Sequence, residues 1–253
     1  MLALAQNQKG RGPATMAIIE YETHGKIAVV TMNNAENKQN PDFAAGMQSA
    51  LDQAEADKSV KAMVITSSDE KNWSQGVDLN FLNAALKDQR HDDMKGFMYG
   101  MNEVFSRLLL APFPVIAAIN GHAFGNGAML ACACDFRFMR ADRGYFCFPE
   151  VDISIPFMPG MIAFVKTAVP YQLFNDMKLT GRRVTADELA KHYVIQEACE
   201  DATATFDKSM EFAATFNKAR GIFGEHKRRL HSHIIDVMEN EDKPLIEALK
   251  LMA

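Results

Sequence analysis

The sequence has no excess of basic charge: 27 Lys and Arg stand against 32 Asp and Glu, a formal net charge of −5. That balance argues against a protein that grips nucleic acid through a cationic face, a local patch aside, because phosphate binding is carried by Lys and Arg. No run approaches the 18 or so consecutive apolar residues that a membrane-spanning helix requires. The four cysteines (Cys132, Cys134, Cys147 and Cys199) form no CxxC pair and no disulfide framework, as expected of reduced thiols in an intracellular protein. GxxxxGK[ST], HExxH and GxSxG are all missing, which removes the P-loop, zincin and α/β-hydrolase readings. No internal repeat is present, and no shift of composition marks a linker.

What is present is a chain of 253 residues, 48% hydrophobic and 23% charged. It can bury a substantial core as one large α/β domain or two small ones, and disorder is excluded as its main state. Residues 1–15 stand apart, with Lys9, Arg11, no acid and little periodicity. They read as a disordered extension, a tag or a short organellar presequence, the last without the usual Arg-rich amphipathic pattern. Sixteen methionines suit an irregular core or a pocket for a flexible apolar ligand.

Along the chain, Ala17 to Glu22 and Lys26 to Met32 predict a β-hairpin turning at Thr23-His24-Gly25. Phe43, Met47, Leu51 and Ala54 form a helical stripe over Pro41 to Ala56, opened by proline. Ala62 to Thr66 and Val115 to Ile119 are short buried strands. Between them lie a polar, turn-prone stretch and a helical region reaching Leu110, broken by charge at Lys87 to Lys95. Asp135 to Met139 and Tyr145 to Phe148 read as strands, and from about Met158 the pattern is mostly helical. Strands alternating with helices early, and helices late, describe one α/β unit with a helical C-terminal part.

Two loops run through glycine from a strand region into a helix: Asn72-Trp73-Ser74-Gln75-Gly76-Val77-Asp78-Leu79, and Asn120 to Gly127. A helix start exposes unpaired N–H groups, and glycine lets a ligand approach the backbone closely. Two such loops facing one another can supply two donors to one oxyanion; each alone reads first as an ordinary strand-to-helix turn. Gly125-Asn126-Gly127 is not a dinucleotide fingerprint, because Leu130 occupies the third glycine position.

The ordered set WSQGVDL, NGHAFGNGAMLACACDFR and FPEVDI resembles the crotonase (enoyl-CoA hydratase/isomerase) superfamily, over Ile18 to about Val194. The resemblance implies an α/β, crotonase-like spiral of ββα units with a helical C-terminal region. Its core would occupy residues 16–200, with residues 201–253 as a trimerisation or lid region. It implies an acyl-CoA substrate, a homotrimer or hexamer, and no cofactor beyond the CoA of the substrate itself; no metal is implied. The backbone N–H groups of Val77 and Asn126 would hold the thioester oxygen, with Asn126 standing where the family usually has glycine. Gln75, Gly76, Asp78, Gly125, Met129, Phe148 and Phe157 would touch the substrate. Lys38 matches the region of the adenosine-binding turn.

The resemblance also assigns the reaction. Family hydratases use two glutamates; here the first position is Met129 and the second is Glu150. One carboxylate beside an oxyanion hole suffices to move a proton from C2 to C4, as in the single-glutamate Δ3,Δ2-enoyl-CoA isomerases of fatty-acid β-oxidation. Dienoyl-CoA isomerases and dehalogenases carry an aspartate near the position of Met158. An apolar pocket of Met129, Phe148, Ile155 and Phe157 would raise the pKa of Glu150. The alternatives are an enoyl-CoA hydratase or other acyl-CoA reaction, and a non-catalytic acyl-CoA-binding pseudoenzyme. Asp78 reads as a helix cap, His122 as a packed histidine, and Asp152 as a loop carboxylate that shares a side with Glu150 if the segment is extended. His226-Lys227-Arg228-Arg229 reads as a solvated helix face or a contact for CoA phosphates. The expected location is cytoplasmic if the source is bacterial, with a mitochondrial or peroxisomal one left open.

Overall fold

The computed structural model describes residues 17–250, so the N-terminal stretch 1–15 lies outside the described residues. The chain opens with β1 (Ile19–His24) and β2 (Ile27–Met32), an antiparallel hairpin whose turn uses Gly25 at φ +63°. Four ββα turns then follow from β2. The first is β2, β3 (Lys38–Gln39) and α1 (Pro41–Ala56). Helix α1 matches the apolar stripe residue for residue: the Asn40 side chain accepts from the Phe43 N–H, Pro41 opens the first turn, and Phe43, Met47, Leu51 and Ala54 are buried.

The second turn comprises β4 (Ala62–Ser67), β5 (Asn72–Ser74), β6 (Gly76–Val77), α2 (Leu79–Lys87) and α3 (His91–Leu110); the helices break only over residues 88–90, and the rest of the charged stretch to Lys95 opens α3. The third is β7 (Val115–Ile119), β8 (His122–Phe124) and α4 (Asn126–Ala133). The fourth is β9 (Phe136–Arg140), β10 (Phe146–Cys147), a 3-10 turn over Pro149–Val151, and α5 (Pro159–Ala168). The chain continues through α6 (Tyr171–Thr180), β11 (Arg183–Val184), α7 (Ala186–Lys191), β12 (Glu197–Cys199), α8 (Ala202–Ala214) and α9 (Arg220–Val237). It ends in a π-helical turn, Met238–Asp242, and α10 (Lys243–Glu247).

The first strand of each turn enters a six-stranded sheet ordered β1-β2-β4-β7-β9-β12, parallel except at β1. The second strands form a four-stranded sheet, β11-β10-β8-β5, and the pair β3-β6. Every residue of β4 and β7 is buried, as a parallel sheet covered on both faces requires. Their side chains alternate. Met63, Ile65, Val115, Ala117 and Ile119 join the main core, while Val64, Ile116 and Ala118 join a smaller one beneath α8. Helix α8, grouped above with the C-terminal region, is thus the second cover of the central sheet.

The basic run on α9 is not a uniform solvated face. Lys227 is buried, with Nζ 2.6 Å from Asp135 Oδ2 and 2.8 Å from the Leu108 carbonyl, which fastens α9 to the central sheet. His231 is buried as well, whereas Arg228 and Arg229 pair with Glu225 in solvent. Burial pushes the Cys132 and Cys134 thiols up to about 12, consistent with core packing. Among the described residues no helix is long and apolar enough to cross a membrane.

Candidate active site

In each of the four turns a short junction leads from the strands towards the helix. These junctions carry Gln39, Val77, Asn126 and Glu150 in succession. The second and third junctions are in backbone contact. A Cβ on Gly76, at φ +77°, would meet the Phe124 carbonyl at 2.6 Å and the Asn126 nitrogen at 2.9 Å. Only glycine permits that approach, which brings Val77 and Asn126, 49 residues apart in the sequence, together. Asn126 is the first residue of α4, so its N–H has no partner within the helix. Asp78 caps α2 instead, its Oδ1 accepting from the Asn80 and Phe81 N–H groups at 3.0 and 3.3 Å.

A cavity of about 380 Å³ opens beside these loops. Gln75, Val77, Gly125, Asn126 and Met129 line one side. Leu79, Leu82 and Leu86 of α2 and Met94, Phe97, Met98 and Met101 of α3 line another, with Ile153, Ile155, Pro156, Met158, Met161 and Leu249 completing the wall. Glu150 is the one ionisable side chain among the described residues that line it. The 3-10 turn begun by Pro149 places Glu150 there, at 7% exposure. Gly125, at φ +54°, leaves the carboxylate room: a Cβ there would lie 3.1 Å from Glu150 Oε1. Glu150 Oε2 accepts no hydrogen bond among the described residues. Burial therefore raises the carboxyl pKa to about 7, against weaker opposing pulls from its own backbone N–H and from Lys178.

Of the residues read as contacting substrate, Gln75, Val77, Gly125, Asn126, Met129 and Glu150 border the cavity. Gly76 and Asp78 do not, nor do the paired rings of Phe148 and Phe157. The two rings lie behind its wall, 5.5 Å apart edge to face, and both pack on Phe174. The physical reason is the strand alternation that sends Phe146 and Phe148 into the core together. Lys38 sits half-exposed on β3, with Nζ 2.6 Å from Glu36, and is not part of the cavity wall. Asp152 does not share a side with Glu150 along an extended strand, because the segment is helical there; its carboxylate lies against Gly181. His122 accepts from the Tyr145 N–H and stacks on the Tyr145 ring, a packed histidine.

A family model described as enoyl-CoA hydratase/isomerase matches residues 22–243. The chain belongs to that family. Among enoyl-CoA hydratase/isomerase relatives it is 31% identical to the Arabidopsis thaliana enoyl-CoA delta isomerase 3, over 72% of this chain and 76% of that one. It is also 31% identical to a short-chain-enoyl-CoA hydratase of Clostridium acetobutylicum, over 71% and 67%. A carnitinyl-CoA dehydratase of Citrobacter koseri is 30% identical, over 77% and 72%. In structure it superimposes on a Mycobacterium tuberculosis enoyl-CoA isomerase with a TM-score of 0.80 at 21% identity, covering 92% of this chain and 98% of that one. The likeness shows the crotonase fold.

The sequence reading missed the α3 face and Leu249. Met94, Phe97, Met98 and Met101 recur at helical spacing and were legible as a buried stripe. That the stripe borders a cavity depends on how α2 and the C-terminal residues pack, which periodicity does not carry. Gln39 was missed too: a polar residue between Lys38 and Asn40, in the wholly polar run 36–40, gives no signal of burial.

Proposed function

We propose that this enoyl-CoA hydratase/isomerase family member is a Δ3,Δ2-enoyl-CoA isomerase. The observation that carries the reading is the pairing of Glu150 with Met129 and Met158 around one cavity. These methionines occupy the two positions at which other branches of the resemblance place a second acid, and neither can ionise. Hydration needs a water to be both activated and oriented, whereas moving a double bond needs one base that takes and returns a proton.

In this reading the thioester oxygen of a 3-enoyl-CoA lies between the N–H groups of Val77 and Asn126. The Glu150 carboxylate removes a C2 proton, and the resulting electron pair conjugates into a dienolate with its charge on the thioester oxygen. The same carboxyl returns the proton at C4, leaving the 2-trans-enoyl-CoA. The atoms balance through proton transfer alone. The acyl chain lies against the Met-rich wall, whose unbranched side chains adapt to a flexible ligand.

The test is conversion of 3-hexenoyl-CoA, followed by the absorbance of the conjugated 2-enoyl thioester, with Glu150→Gln in parallel. Conjugation by the wild type and a rate lower by about 10²- to 10⁴-fold in the variant are expected. Conjugation that survives Glu150→Gln assigns the base elsewhere, and hydration of crotonyl-CoA without conjugation replaces the isomerase reading with a hydratase.

A further inference from the structure

The two oxyanion donors lie on different turns of the spiral, so their separation depends on what ties one loop to the other. The α4 start has no side-chain cap, because Gly125 occupies the capping position. Gln39, at the first junction, spans both loops and is wholly buried. Its backbone pairs with Val77 in the β3–β6 ladder, and its carbonyl accepts from the Asp78 N–H at 2.8 Å. Its side chain holds the other loop: Oε1 accepts from Asn126 Nδ2 at 2.6 Å, and Nε2 donates to the Asn126 carbonyl at 3.4 Å. Nε2 also donates to Ser74 Oγ at 3.3 Å, and that hydroxyl accepts from the Gly76 N–H at 3.2 Å.

We propose that Gln39 is the positioning residue of the oxyanion hole, fixing the spacing of the Val77 and Asn126 N–H groups without touching substrate. The inference rests on the acyl-CoA thioester reading above. It gives the Asn126 side chain a use: the amide makes a link to Gln39 that a glycine at this position could not make. Donors aimed at a developing charge act through preorganisation, and a displacement of about 1 Å can cost about 10²-fold in rate.

The test reads polarisation of the thioester directly, as the ¹³C carbonyl shift of [1-¹³C]hexanoyl-CoA on binding. Wild type, Gln39→Met, Asn126→Ala and the double variant are compared, along with kcat and KM for 3-hexenoyl-CoA. The wild-type resonance should move downfield, and either single change should cut that movement to about half or less. Where turnover is measurable, kcat should fall about tenfold with a smaller change in KM. The double variant should be no worse than the poorer single one, since both break the same link. A folded single variant with the full shift, additive penalties in the double variant, or a wild type that leaves the resonance unmoved overturns the proposal. Should Gln39→Met not fold, Asn126→Ala decides alone, because it keeps the backbone N–H and removes only the amide link. If the shifts behave as expected but 3-hexenoyl-CoA is not conjugated, the isomerase reading falls and the positioning role stands.

Discussion

Asp242 and Glu150 are both buried carboxyls, and their surroundings put them to opposite uses. Asp242, in the π-helical turn after α9, is fully covered; Oδ1 accepts from the Gly160 N–H at 2.8 Å and Oδ2 from Asn102 Nδ2 at 3.0 Å. It fastens the C-terminal turn to α3 and α5. Glu150 has one oxygen without a partner among the described residues and faces the cavity. Burial raises both pKa values; at Asp242 two hydrogen-bond donors from other elements oppose the rise, while at Glu150 the opposing groups are its own backbone N–H and the charge of Lys178. A buried acid closed in by donors serves the fold; one left open beside a cavity is available to a substrate proton.

Exchanging the two side chains for their amides should separate these roles. Glu150→Gln carries the largest effect, the 10²- to 10⁴-fold rate loss, of about that order for a removed general base. It should cost no thermal stability at neutral pH. Asp242→Asn should do the reverse, lowering stability by about 1–3 kcal/mol because one of the two donors loses its acceptor. Its kcat should stay close to that of the wild type. An Asp242→Asn variant that melts normally yet fails to turn over would break the comparison.

The pH dependence of stability sharpens it. The Glu150 carboxyl moves from an ordinary 4.5 to about 7 in the folded chain. Between those values the folded protein holds a proton that the unfolded chain has released, so stability falls as pH rises through this window. A shift of that size corresponds to about 3 kcal/mol at most. Glu150→Gln removes the penalty: relative to wild type it should gain up to about that amount above pH 7 and nothing below pH 4.5, read by urea denaturation at pH 4 and pH 8. In the proposed isomerisation the same ionisation would arm the base, so kcat/KM should rise through about pH 7 and then level off. A stability difference between wild type and Glu150→Gln that is the same at pH 4 and pH 8 would mean that Glu150 is not desolvated as its surroundings imply.

The contrast between the two acids also shows what the sequence discloses. Glu150 was legible because it stands in FPEVDI behind two glycine loops whose order is specific; the hairpin, α1, β4 and β7 were legible because their apolar spacing leaves little choice. Asp242 was not, because MENED reads as a polar joint between helices, and its burial follows from the tertiary approach of Gly160. Phe148 and Phe157 were placed in the pocket on apolarity alone, which cannot tell a cavity wall from the packing behind it. Lys227 was read as solvated for the converse reason: its partner Asp135 lies 92 residues away.

If open space beside the carboxyl is what distinguishes Glu150 from Asp242, then filling that space should leave the chemistry intact for small substrates and exclude large ones. Met98 of α3 lines the cavity at 6% exposure, away from the donor loops in sequence and on a rigid helix. Met98→Trp adds bulk to the wall, and side-chain contacts in such pockets discriminate by about 10- to 200-fold per methylene-sized change. The expected result is a fall of about tenfold in kcat/KM for 3-dodecenoyl-CoA, with the value for 3-butenoyl-CoA little changed. Met98→Leu conserves volume and should cost under about 1.5 kcal/mol of stability, but it replaces an adaptable side chain with a branched one. It should therefore narrow the range of chains accepted without moving the best rate. Equal losses for short and long chains in Met98→Trp would mean that the bulk reaches Glu150 or the donor loops. The Met wall would then belong to the support of the base rather than to the space that the acyl chain occupies.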